Sequence, residues 1–155
     1  MSAVVIRRGD RLDIPFLRSL LAHAYNWHVN ELDTEISIAH YADGWGRRGD
    51  AAVIAMEDGH SVGAGWYRLF SESIPGYGFL DDETPELTIV VVPSRQGEGI
   101  GAKLLEALLA RARSDGFHRV SVSVERGKQE ADSYLGSGFE QVAEHGNTLV
   151  LSRAL

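Results

Sequence analysis

The feature that most limits how this chain can fold is the stretch at residues 85–105. It begins with an apolar, β-branched run from Glu86 to Val92, which Pro93 stops because proline offers no N–H to a strand ladder. Gly97, Gly99 and Gly101 follow, and then Leu104, Leu105, Leu108 and Leu109 recur at the spacing of one helix face. The pattern predicts strand, glycine loop, helix start. A helix N-terminus carries unpaired N–H groups and roughly half a positive charge, so it attracts anions. Glycines let a phosphate reach that backbone with no Cβ between. A site for a phosphate-bearing cofactor is therefore expected here.

Around this stretch, strands and helices alternate. Residues 4–8 read as a strand, and Asp13 is placed as the cap of a helix with Pro15 early and Phe16, Leu17, Leu20, Leu21 and Ala24 on one face. A second helix is expected over 34–41, capped by Thr34 and ended by the glycines near Trp45. Residues 51–56 and 61–70 pair as a hairpin through Glu57, Asp58, Gly59 and His60. Residues 71–85 are a long loop, a kind of segment that is often functional in compact domains. Asp115 and Gly116 close the central helix. Strictly alternating residues 119–124 are a strand, 128–135 a short helix, and a hairpin through Gly146 and Asn147 finishes the chain. The expectation is an α/β fold in one domain, residues 1–155, with a mixed sheet of about seven strands and about four helices.

Composition removes several chemistries. The 155 residues include no cysteine, which excludes disulfides, thiolate nucleophiles, iron–sulfur clusters and thiolate zinc sites. Histidines are scattered without metal-ligand spacing, so no metal is expected, and His23 and His28 read as an aromatic cluster with Tyr25 and Trp27. A net charge of −7 argues against a nucleic-acid partner and mildly favours a cationic small substrate. No apolar run is long enough to span a bilayer and no signal peptide is visible, so no membrane partner and a cytoplasmic address are expected.

Two phosphate ligands compete for the glycines. Gly97-x-Gly99-x-x-Ala102 satisfies the dinucleotide fingerprint, and Glu125 ends the next strand, where a ribose-binding acid belongs. However, residues 93–96 separate strand from first glycine, and only one βαβ unit is present. The lysine–hydroxyl pair that ends a P-loop motif is missing. The second reading rests on Gln96-x-x-Gly99-x-Gly101, preceded by Glu86, Leu87, Val91 and Pro93. These residues resemble the GNAT superfamily of acyl-CoA N-acyltransferases. Tyr134-x-x-x-Gly138-Phe139 matches the family's next motif, while Arg7, Asp13 and the leucines after it suit its opening strand and helix. The resemblance covers nearly the whole chain.

It implies a GNAT-like fold and an N-acetyltransferase domain using acetyl-CoA as cosubstrate. Gln96, Gly97, Glu98, Gly99, Ile100, Gly101 and Ala102 would hold the pyrophosphate through the helix N-terminus. Val90 and Val91 would pair with the pantetheine arm, and an amide near Val91 would polarise the thioester. Glu86 would be the general base, with Asp81, Asp82 and Glu83 as fallbacks; the alternative for Glu86 is a solvated strand-end carboxylate. Tyr134 would be the general acid. The chain departs from the family at Gly127 and Glu130, where Asn and Ala are common, and at Glu98, whose charge Arg95 either offsets or leaves to a phosphate. Trp66, Tyr67, Tyr77, Phe79 and the segment up to Trp45 are candidates for the acceptor wall. The implied reaction is direct acetyl transfer to a primary amine of a small molecule or peptide, since no cysteine is available for a thiol acyl-enzyme. A non-catalytic acyl-CoA sensor remains the alternative, and the resemblance leaves room for a homodimer.

Overall fold

In the computed structural model, residues 3–25, 41–42, 44–47 and 49–155 are described. The chain runs β1 (Val5–Arg8), α1 (Ile14–Tyr25), β2 (Ala51–Glu57), β3 (His60–Arg68), β4 (Glu86–Val91), α2 (Ile100–Ser114), β5 (Arg119–Glu125), α3 (Gln129–Leu135), β6 (Glu140–His145) and β7 (Thr148–Ala154). The strands form one seven-stranded mixed sheet in the order β1-β2-β3-β4-β5-β7-β6. Three α-helices lie among the described residues, against the four expected. Apart from Tyr41, the helix expected over 34–41 falls outside the described residues.

Strand alternation divides the sheet into two faces. Leu87 of β4, Tyr67 of β3 and Val120, Val122 and Val124 of β5 join Leu104, Leu105, Leu108 and Leu109 of α2 in one core. Val90, Trp66, Leu17, Leu20 and Tyr41 form the other, under α1. Full burial of each α2 leucine contributes about 1.5–3 kcal/mol. The β2–β3 hairpin turns on Asp58 and Gly59, both with positive φ (52° and 79°), the handedness that matches the twist of the flanking strands.

Asp13 does not cap the first helix as expected. A 3₁₀ turn over Arg11–Asp13 precedes α1, and Asp10 is its cap, accepting the Leu12 N–H at 2.8 Å. Asp13 instead closes the capping box by accepting the Asp10 N–H at 2.9 Å, and it takes Arg7 through bonds of 2.9 and 2.7 Å. The cap lies three positions earlier than expected because the Asp13 carboxylate is taken up by Arg7 of β1 and the Asp10 N–H.

The decisive topological fact lies in the middle of the sheet. β4 and β5 are parallel, yet their ladder consists of the single pair Glu86 and Ser121, with the Ser121 N–H on the Pro85 carbonyl at 3.0 Å. β5 then follows β7 along its whole length. The sheet opens here.

Candidate active site

Past Glu86 the parting strands leave a cleft whose lining includes Thr88, Val91, Gln96, Ser123, Glu130 and Tyr134. The Val92 N–H bonds the Val62 carbonyl at 3.0 Å. Successive residues of a strand point their backbone groups to opposite edges, so Val91 turns its N–H and C=O toward the cleft. Gln96 Nε2 reaches that carbonyl at 3.4 Å. Val91 therefore offers the cleft an amide, whereas Val90, which also lines the cleft, sets its side chain in the α1 core.

At one end of the cleft stands the mouth of α2. Gly97 and Gly99 have φ of 82° and 81°, and an added Cβ would meet nothing within 4 Å, so glycine is needed for conformation and not for space. No side chain caps this helix, and the first helical bond runs from the Lys103 N–H to the Gly99 carbonyl at 3.3 Å. Among the described residues, no group accepts from the amides of Gly97, Glu98, Gly99, Ile100, Gly101 and Ala102. Arg95 is not available to grip a phosphate freely. Its guanidinium holds Glu57 at 2.6 and 2.8 Å and Glu98 at 2.9 and 3.2 Å, so it ties the loop to the end of β2. That contact joins residues 38 apart in sequence.

Glu86 is not a solvated strand-end acid. It is 1% exposed, and its carboxyl accepts the Gly78 N–H at 2.7 Å, the Ser123 hydroxyl at 3.2 Å and the Tyr41 hydroxyl. Burial pushes its pKa up to about 7 against the opposing pull of these three donors. The loop closes over it tightly, since a Cβ on Gly76 would stand 2.4 Å from Glu86 Oε1. By contrast, Asp81, Asp82 and Glu83 are exposed, and Asp81 accepts the Glu83 N–H at 2.9 Å within its own loop. They do not line the cleft.

Tyr134, on α3, lines the opposite wall and meets Phe139 edge to face with centroids 5.2 Å apart. Burial, then the nearby Glu130 carboxylate, raise its pKa, so the phenol keeps its proton. Of the aromatic candidates, Trp66 and Tyr67 are fully buried on opposite faces, with Trp66 Nε1 donating to the Tyr41 carbonyl at 2.9 Å and the Tyr67 hydroxyl donating to Asp115. Tyr77 is buried and Phe79 half-buried beside the same core. The cluster expected around Trp27 and His28 lies outside the described residues.

Sequence reasoning missed Tyr41 and Ser123. The alternation of β5, which puts Ser121 and Ser123 opposite Val120, Val122 and Val124, carried the signal for the serine. For Tyr41 there was none, because its link to Glu86 spans 45 positions. Together the residues offer unpartnered amides for a phosphate, a free strand edge for an extended arm, a buried carboxyl titrating near neutrality and a protonated phenol. Among the described residues, no group of three or more His, Asp or Glu is placed to hold a metal ion, and no helix is long and apolar enough to cross a membrane.

Residues 14–139 match the Acetyltransferase (GNAT) family. Over 129 residues, 79% of this chain and 71% of the relative, the sequence is 28% identical to L-methionine sulfoximine/L-methionine sulfone acetyltransferase of Salmonella typhimurium. The fold is similar to the crystal structure of ribosomal-protein-alanine N-acetyltransferase from Brucella melitensis, with a TM-score of 0.71, 24% identity and coverage of 97% and 99% of the two chains. It is likewise similar to a GNAT family acetyltransferase from Elizabethkingia anophelis with acetyl-CoA bound, with a TM-score of 0.67, 18% identity and 98% of each chain covered.

Proposed function

Because this chain belongs to the acetyltransferase (GNAT) family, we propose that it moves an acetyl group from acetyl-CoA to a primary amine of a small molecule or peptide. The transfer is direct, within a ternary complex. One observation carries the reading: a run of unpartnered amides, residues 97–102, stands where the β4–β5 cleft meets the mouth of α2. Amides without a protein acceptor at a helix N-terminus, next to a free strand edge, suit a phosphate.

When bound, acetyl-CoA supplies the activated acyl group as a thioester. The chain's residues do the rest. The amides from Gly97 to Ala102 hold the diphosphate, and the Val91 edge aligns the arm. The Val91 N–H is the donor best placed to polarise a carbonyl in the cleft. Glu86, with a pKa near neutrality, removes the proton that most amines carry at neutral pH. Tyr134 retains its proton until a leaving sulfur needs it. The acceptor class is supported by the relatives' names, one for an amino-acid derivative and the other for an alanine of ribosomal protein. The same reading keeps the protein cytoplasmic, and a homodimer is checked by its elution volume in gel filtration.

A panel of spermidine, L-methionine sulfone and an alanyl peptide, scored by thiol release from acetyl-CoA, tests the reading. Glu86→Gln and Tyr134→Phe should lose turnover yet keep affinity for CoA. A protein that binds CoA and acetylates nothing would be the acyl-CoA sensor instead. Stabilisation by a nicotinamide cofactor and not by CoA would reinstate the dinucleotide reading.

A further inference from the structure

Glu86 has a placement problem as a base: its carboxyl does not line the cleft. Resting on the function proposed above, we propose that the Ser123 hydroxyl is the relay that carries the amine's proton from the cleft to Glu86. Among the described residues three groups donate to this carboxyl, and they are not equivalent. The Gly78 N–H is a peptide group and cannot give its proton away. The Tyr41 hydroxyl, 1% exposed at the level of the whole residue, already accepts the Tyr77 N–H at 2.7 Å and stands away from the cleft. Among the described residues, Ser123 alone both lines the cleft and touches the carboxyl, with Oγ 3.2 Å from Oε2. On the loop side, Gly76 and Gly78 approach the carboxyl so closely that a Cβ would fall 2.4 and 3.0 Å from its atoms, so the loop packs directly on it there.

The proton count closes. Ser123 passes its hydroxyl proton to Oε2 as its oxygen takes one from the amine nitrogen, so the serine ends unchanged. The freed lone pair forms the N–C bond to the thioester carbonyl carbon, the C–S bond breaks, and the sulfur leaves with the Tyr134 proton. The acylated nitrogen gives its second proton to the Tyr134 phenolate as the amide forms, which restores the phenol, and Glu86 returns its proton to water.

The test compares acceptors that need deprotonation with one that does not. With the panel amines at about pH 7, Ser123→Ala should lower kcat about 100-fold and leave the KM for acetyl-CoA within about twofold. With hydroxylamine, which is largely neutral at that pH, the deficit should shrink to about threefold or less. Ser123→Thr, which keeps a hydroxyl, should recover most of the rate and guards against a folding defect. In mixed light and heavy water the wild-type rate should bow downward, as two protons move together, and Ser123→Ala should give a straight line. Equal losses with both acceptor types, an unaffected kcat, or a straight wild-type plot overturns the relay while acetylation itself stands. A wild-type protein that acetylates nothing overturns the function first, and the relay with it.

Discussion

Tyr41 and Glu86, 45 positions apart, share a buried hydrogen bond in which the Tyr41 hydroxyl donates to the carboxyl while its oxygen accepts the Tyr77 amide at 2.7 Å. An ionised carboxyl has no proton to give, so the phenol proton faces it whenever Glu86 is charged. A residue on the α1 side of the sheet thus helps decide how readily an acid on the central strand ionises.

The first prediction concerns pH. Glu86 titrates near 7 in the folded protein, against an ordinary value of 4.5. Between those values the folded chain holds more protons than the unfolded one, so stability falls as pH rises through this window. The cost is complete above about pH 7 and is on the order of 3 kcal/mol. Thermal melts from about pH 4.5 to 8 should show a declining Tm, and Glu86→Gln should flatten the decline. Asp13, held low by its hydrogen bonds with Arg7, acts in a more acidic window with the opposite sign. Catalytic rate should rise through about pH 7 as the carboxylate forms. A rate that peaks on the acid side would remove Glu86 as base.

Crowding over the carboxyl makes a second prediction. In Gly76→Ala the new Cβ would lie 2.4 Å from Glu86 Oε1, 2.9 Å from the Phe70 ring and 2.9 Å from the Tyr41 hydroxyl. Relieving that overlap should cost about 1–3 kcal/mol in urea unfolding and lower kcat as well. The loop would have to lift from Glu86, so a wild-type rate in this variant would argue that the cover is unimportant.

Arg95→Ala should act on binding and spare the chemical step. Without the guanidinium, Glu57 and Glu98 lose their shared counter-charge beside the amides of the proposed diphosphate site. The KM for acetyl-CoA should rise about tenfold with kcat within about twofold, whereas stability should change less, since ion pairs near the surface contribute modestly. Calorimetric titration with CoA measures the first effect directly.

Gly99→Ala separates strain from space. Its Cβ would touch nothing within 4 Å, but a φ of 81° is unfavourable for alanine. The cost should be about 1–2 kcal/mol, together with weakened CoA binding as the loop rearranges. Gly101→Ala has no such strain and only an ordinary contact of 3.9 Å with Val91, so its melting temperature should hold.

Most of the fold could be read locally. The β2–β3 and β6–β7 hairpins, the β4–α2–β5 crossover and the two-faced strands came from patterns a few residues long. Where the reading slipped, as with Asp13 for Asp10, the cause was a partner outside the pattern: Arg7 claims the carboxylate. Arg95 is a second case, since nothing near it in sequence announces Glu57.

What the sequence determined by itself was the strand, glycine loop and helix start that the proposed phosphate site is built on, because positive-φ glycines and an uncapped helix mouth are properties of neighbouring residues. Only the tertiary structure decided what kind of acid Glu86 is. Its donors come from residues 41, 78 and 123, and its loss of water comes from a loop, a strand and a helix-side segment closing together. Desolvation is a sum over everything that surrounds a charge, and no stretch of chain contains that sum.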